Sequence, residues 1–120
     1  MWRMVEKEKN KNSDSLTPPT IDKVIHELVR LLIVSILFVV ESADFLFLKN
    51  QTGLTWGNLS SHITKLEDAG YVNVKKEFVK KKTRTLLSLT DAGKEAFRQY
   101  KRNIEEIEEY ARKISKAESK

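Results

Sequence analysis

The apolar positions of this chain fall into three stretches of helical spacing, with strand-like runs between the second and the third. Thr17-Pro18-Pro19-Thr20 comes before the first stretch. Prolines cannot lie inside a helix, and Thr20 is able to cap the helix that follows. From Ile21 to about Glu41 there is no glycine or proline, and Ile21, Val24, Ile25, Leu28, Leu32 and Ser35/Ile36 recur at helical intervals. After Arg30 the polar side disappears, and Leu31–Val40 is apolar except for Ser35. A helix apolar all round is expected to be buried on all sides. In a chain this short a partner subunit would supply part of that burial, which marks Leu32 and Ile36 as dimer-interface positions. A membrane span is not expected, because the uninterrupted run is about half of the ~20 residues needed.

Ser42–Leu54 reads as a connection plus a short helix, with Phe45 and Leu48 towards the core and Gly53 as its C-terminal turn residue. Thr55 is positioned to cap a second helix that Gly70 ends. At 100° per residue Leu59, Ile63, Leu66 and Gly70 share one face of it. Gly57, Ser61, Thr64 and Asp68 lie opposite, flanked by Asn58, Ser60 and Lys65. Tyr71–Phe78 and Arg84–Leu89 are rich in strand formers. The connection Lys80-Lys81-Lys82-Thr83 lacks the Asn-Gly or Asp-Gly of a tight hairpin turn, so a loose, mobile tip is expected. Thr90 caps a last long helix with Asp91 in its first turn. There Phe97, Tyr100, Ile104, Ile107, Ala111 and Ile114 alternate spacings of three and four, a narrow seam for one facing helix. That facing helix is either the Leu31–Val40 segment of the same chain or a second copy. The surplus of apolar surface favours a homodimer.

Charge sharpens this picture. The net charge is +5. Residues 71–84 carry Lys75, Lys76, Lys80, Lys81, Lys82 and Arg84 against the single acid Glu77, so this window holds the whole excess. A basic concentration on an otherwise balanced chain points to a polyanion. The predicted order is helix, short helix, helix, basic hairpin, long helix. It is a mainly α fold with a small β-hairpin, a winged helix-turn-helix with a long C-terminal dimerisation helix. The expected divisions are a flexible arm over 1–19, a winged helix domain over 20–90 and the dimerisation helix over 91–120.

The block Gly57-Asn58-Leu59-Ser60-Ser61-His62, with Leu66-Glu67 and Ala69-Gly70-Tyr71-Val72, resembles the winged helix DNA-binding domain family related to MarR-type and ArsR-type regulators. Lys75-Lys76, Phe78, Thr85, Leu89-Thr90 and Gly93 fit the same pattern, as do Val29-Arg30-Leu31 and Ile33 upstream. Two departures stand out: the wing tip has no glycine, and the short helix carries Leu46 and Phe47 where a polar capping residue is expected. The resemblance implies a dimeric transcriptional regulator that reads double-stranded DNA with the helix over 55–69 and touches the backbone with its wing. On that reading Asn58 is suited to an adenine edge, Ser61 to several bases, and Lys65 to guanine or phosphate. Ser60 and Thr64 share the groove-entering side, and Gly57 allows close backbone approach. Thr55 and the first helix amides suit a phosphate. Trp56 packs on the wing or the preceding helix, or lies against the sugar-phosphate edge. Lys80, Lys81, Lys82 and Arg84 supply phosphate contacts, with Arg84 placed to enter a minor groove. A two-fold dimer prefers a pseudopalindromic operator.

Enzyme signatures are absent from the sequence: there is no cysteine and no Gly-rich phosphate loop, and His26 and His62 have no ligand partners at metal spacing. No cofactor or metal is expected. His62 borders the apolar stripe of its helix and reads as a packed, hydrogen-bonded residue. Without an apolar leader in its first residues, the chain is expected in the cytoplasm. An unidentified small-molecule effector between the first and last helices is conceivable, though no residue marks such a pocket. The competing reading is a winged helix module that binds protein or RNA and does not read DNA sequence. Attachment to a membrane surface through the apolar first helix and the basic wing is a third.

Overall fold

A computed structural model of the protein describes residues 18–118. Apart from Pro18 and Pro19, the arm expected over 1–19 lies outside the described residues. The elements are α1 (Leu28–Val40), β1 (Ala43–Asp44), α2 (Phe45–Thr52), α3 (Trp56–Asp68), β2 (Val72–Val79), β3 (Lys82–Leu89) and α4 (Asp91–Glu118). This is the helix-turn-helix with a wing that the sequence pattern predicts.

The first helix starts later than its apolar spacing suggests. Thr20 caps nothing; instead Asp22 Oδ1 accepts from the amides of Val24, at 2.8 Å, and Ile25, at 3.1 Å, and folds the chain into a turn. Aspartate offers the backbone this local alternative to a helix. The turn carries Ile25 into full burial. Glu27 then caps α1, its Oε1 accepting from the Arg30 amide at 2.9 Å. The Tyr71 hydroxyl donates to Asp22 Oδ2, tying the turn to the approach to β2.

The core gathers one stripe from each element: Ile33, Val34 and Leu37 of α1, Leu48 of α2, Leu59, Ile63 and Leu66 of α3, and Val72, Leu87, Leu89 and Phe97. The α3 stripe matches the sequence expectation, save that Gly70 is exposed and ends the helix with φ +82°. Within the single chain the burial of α1 is incomplete. One side of α1 is sealed, but Leu28, Leu32, Val39 and Val40 are exposed, Val39 at 78%. A single chain has too few elements to surround a helix.

The sheet has three strands, not two. β1 pairs with β3 through Ala43↔Leu87 and Asp44↔Leu86, which places β3 between β1 and β2. Two residues carry no periodicity, so β1 left no mark in the pattern. The wing also differs from expectation. β2 and β3 pair without a break from Val72↔Leu89 to Val79↔Lys82, leaving only Lys80 and Lys81 in the turn. Both have positive φ, 50° and 63°, the signature of a tight type I′ turn. The right-handed twist of the strands selects this turn even without Asn or Gly.

Thr90 begins α4 as expected: its Oγ1 accepts from the Gly93 amide at 2.9 Å and donates to the Gly70 carbonyl at 2.6 Å. Gly93 is there because backbone crosses close by; a Cβ would stand 2.2 Å from the Tyr71 carbonyl oxygen. The described residues divide into two units, one running from Asp22 to Arg98 and the other holding α4 from Gln99 onward. The first turns of α4 therefore belong to the winged unit, through Phe97 packed on Phe38 with ring centroids 4.9 Å apart.

Candidate nucleic-acid interface

The helix-turn-helix is set by two side-chain caps. Asp44 Oδ1 accepts from the Phe47 amide at 2.7 Å and starts α2, so the capping residue missed at Leu46 and Phe47 stands just before them. Gly53, in the left-handed region at φ 72°, ends that helix where the sequence placed its end. Thr55 Oγ1 accepts from the Asn58 amide at 3.1 Å and starts α3. The turn between the helices is thus Gly53, Leu54 and Thr55.

Every α3 residue assigned to DNA is exposed: Trp56, Gly57, Asn58, Ser60, Ser61, Thr64 and Lys65, together with the cap Thr55. Nothing lies within 4 Å of a Cβ built on Gly57, so its glycine is not required by the fold. The opposite face carries the buried Leu59, Ile63 and Leu66. His62 lies between the two faces. Its Nδ1 is 3.1 Å from Arg30 Nη1 and 3.7 Å from Glu27 Oε1, and Arg30 Nε donates to the Val24 carbonyl at 2.6 Å. This confirms the packed, hydrogen-bonded reading of His62 and joins α3 to the start of α1. The Arg30 amide, and more weakly the charges of His62 and Arg30, hold the Glu27 carboxyl below its ordinary value.

Trp56 resolves onto the preceding helix. Its ring stacks on Phe45 at 5.5 Å and 20°, and Lys49 Nζ lies 5.0 Å over it. The Trp56 side remains 53% exposed. It opens onto a groove of about 490 Å³. Asp44, Phe45 and Leu46 form one wall, and Val79, Lys80, Lys82, Thr83, Arg84 and Thr85 of the wing form the other. The N-terminal end of α3 and the basic wing therefore share one surface. Lys80, Lys81, Lys82 and Arg84 are all exposed. Arg84 is engaged across the hairpin, its Nε 3.6 Å from Glu77 Oε2, which restrains the residue assigned to a minor groove. The groove itself was not foreseen; the sign of it in the sequence is Leu46, an apolar residue at a surface position.

The positions assigned to a dimer interface separate. Phe97 is in the core of its own chain, and Tyr100 is buried as well, so neither is an open partner surface. Ile104, Ile107 and Ile114 are exposed at 38%, 39% and 36%, and Ala111 is exposed too. On α1, Leu32 is exposed and Ile36 half-buried. Among the described residues no helix is long and apolar enough to cross a membrane.

The family of winged helix DNA-binding domains matches residues 29–107 of the chain. An uncharacterized protein of Methanocaldococcus jannaschii is 37% identical over 78 residues, covering 65% of this chain and 85% of that protein. Among solved structures, a transcriptional regulator homologue from Pyrococcus horikoshii is 30% identical with a TM-score of 0.67, covering 72% of this chain and 85% of the other. HlyU from Vibrio cholerae, 23% identical with a TM-score of 0.56, covers 67% and 83% and shares the fold.

Proposed function

The chain belongs to the winged helix DNA-binding domain family, and from that premise we propose that it regulates transcription by binding double-stranded DNA, as a homodimer on a pseudopalindromic operator. The observation that carries this reading is the shared groove wall: Trp56 at the start of α3 faces Lys80, Lys82 and Arg84 of the wing. A helix N-terminus with small polar side chains beside a lysine-rich hairpin presents both a groove-reading edge and a phosphate-binding edge to one duplex. Thr55 and the first α3 amides take a backbone phosphate. Gly57 admits the backbone closely, and Asn58, Ser60, Ser61, Thr64 and Lys65 face the bases. The wing lysines contribute affinity without sequence information.

The dimer rests on the α4 stripe of Ile104, Ile107, Ala111 and Ile114, which keeps a 3-4-3 spacing on an exposed helix surface. Leu32 and Ile36 of α1 offer a second apolar surface. Two-fold symmetry then sets half-sites about 10 bp apart, or a multiple.

The test is a gel shift against fragmented genomic DNA with a salt series, repeated on two classes of variant. Asn58→Ala and Ser61→Ala should change which fragments are retained, by about 1–3 kcal/mol per lost base contact. Lys81→Ala should weaken binding to all fragments alike. Equal losses on every duplex for both classes would refute the division of labour, and no retained fragment at low salt would refute the DNA reading.

A further inference from the structure

We propose that His62 is a proton-operated switch between α1 and α3: as a neutral ring it is held by Arg30, and as an imidazolium it is held by Glu27 and strengthens DNA binding. The exchange of partners stands on the geometry of this cluster; its effect on DNA rests on the DNA-binding reading above. The start of α1 and the middle of α3 build the cluster, and no wing residue belongs to it.

One nitrogen faces two opposite partners. His62 Nδ1 is 3.1 Å from Arg30 Nη1 and 3.7 Å from Glu27 Oε1. A guanidinium only donates hydrogen bonds, and an ionised carboxylate only accepts them. Without a proton, Nδ1 accepts from Arg30 and has nothing to offer Glu27. With a proton, it donates to Glu27 and meets the guanidinium as a like charge. The two contacts exclude each other, and the proton chooses between them. The 3.1 Å contact belongs to the neutral arrangement, which leaves the ring proton on Nε2. Histidine is the ordinary side chain whose charge changes between about pH 5 and 8, so the choice falls in a physiological range.

Both partners are fixed from the α1 side. Arg30 Nε donates to the Val24 carbonyl at 2.6 Å, and Glu27 Oε1 accepts from the Arg30 amide at 2.9 Å. The capping oxygen of Glu27 is thus already beside the ring. Asp22, the other acid of that stretch, is engaged by the Tyr71 hydroxyl and by the amides of Val24 and Ile25. Lys23 and His26 are exposed in the turn before α1, and Lys49 of α2 is turned to Trp56. His62 and Glu27 are half-buried, so their charges are screened less than those of an open surface pair. On α3, His62 follows the groove-facing Ser61 and neighbours Asn58, one turn before it, and the exposed Lys65, one turn after. A proton there adds a positive charge at the edge of the recognition surface and releases Arg30 Nη1 from its acceptor. Phosphates favour both changes, so the protonated form binds a duplex more tightly. By reciprocity the duplex raises the pH at which His62 titrates.

The experiment titrates the full chain by NMR from about pH 8 to about pH 5.5, following the His62 ring and the Arg30 Nε–H signal; His26→Gln assigns the imidazoles. Movement of both signals at one midpoint supports the switch. Glu27→Gln keeps a capping oxygen but removes the charge that favours an imidazolium, so it should lower that midpoint. A ring that does not titrate in this window, an Arg30 signal that ignores it, or a midpoint unmoved by Glu27→Gln overturns the switch. Fluorescence anisotropy then measures binding of a labelled duplex retained from the genomic fragments over the same range at constant ionic strength. The parent should bind at least about fivefold more tightly at the acid end. Its salt slope there should be steeper by about 0.9 per protomer, for one added cation. His62→Gln, neutral throughout, should remove both differences. Equal pH profiles for the parent and His62→Gln, or weaker binding of the parent in acid, overturn the coupling to DNA. Failure of any duplex to bind at any pH refutes the DNA reading and the coupling with it, and the NMR titration of the parent still decides the switch.

Discussion

Replacing Lys80-Lys81 by Asn-Gly (K80N/K81G) should make the protein more stable and its DNA binding weaker. Both lysines sit in the left-handed region, with φ 50° and 63°. There an L-residue other than glycine carries roughly 1–2 kcal/mol of steric cost. Asn-Gly is the preferred pair for a two-residue type I′ turn, and glycine adopts that conformation freely. Glycine also frees the unfolded chain, which offsets roughly 0.5–1 kcal/mol. The net gain is about 1 kcal/mol, equivalent to a rise of roughly 4–8 °C in melting temperature for a domain of this size. The electrostatic consequence has the opposite sign. Two lysines per protomer are four phosphate contacts per dimer, or a change of about 3.6 in the slope of log affinity against log salt. Between 50 and 200 mM salt the variant should therefore lose roughly a hundredfold less affinity than the parent. Lys81→Ala separates the effects: it removes charge while keeping the left-handed strain, so stability stays within about 0.5 kcal/mol and the slope changes by about half as much. Thermal unfolding by circular dichroism and fluorescence anisotropy on a labelled operator fragment give the two readings. A melting temperature that falls or stays the same means that the turn is not left-handed at both positions. An unchanged salt slope means that the tip touches no phosphate.

Three further outcomes are expected. Gly93→Ala should destabilise by about 2 kcal/mol or more, because a methyl 2.2 Å from the Tyr71 carbonyl forces backbone apart and disturbs the Thr90 cap; Gly57→Ala, in open space, should not destabilise, and denaturant midpoints compare the two. Ile107→Glu should shift the chain towards monomer in sedimentation equilibrium while leaving its melting temperature in the dilute limit unchanged, and a dimer of undiminished strength argues against the α4 stripe. Burial, with the Asp22 carboxylate as hydrogen-bond partner and neighbouring charge, pushes the Tyr71 hydroxyl up to about 12 from an ordinary 10.0. The neutral form is the one that the fold favours, so its contribution is complete below pH 10 and disappears as pH rises through about 12. The stability difference between the parent and Tyr71→Phe should shrink over that window, and a difference that is constant with pH would show that Tyr71 ionises equally in both states.

The α3 register was legible because one helix face must be oily and the other wet. Leu59, Ile63 and Leu66 reveal themselves by spacing, and the exposure of Asn58, Ser61 and Thr64 follows from the same arithmetic. Thr55, Gly53 and Thr90 were equally readable, since caps act within four residues of their own position. The local pattern stopped being informative where a contact joins distant parts of the chain. Asp22 folds a turn instead of continuing a helix, in a place where it also receives Tyr71 from 49 positions away. Phe97 shares its spacing with Ile107, but only Phe97 meets Phe38 and enters the core.

The sequence by itself determined which face of α3 is apolar, where α2 ends and where α3 and α4 begin, and where the positive charge is concentrated, because each depends on neighbours a few residues away. The tertiary structure alone decided the third strand, the two-residue turn and the overhanging groove. Those depend on strand twist and on which surfaces run out of partners, and neither is written in any local stretch of chain.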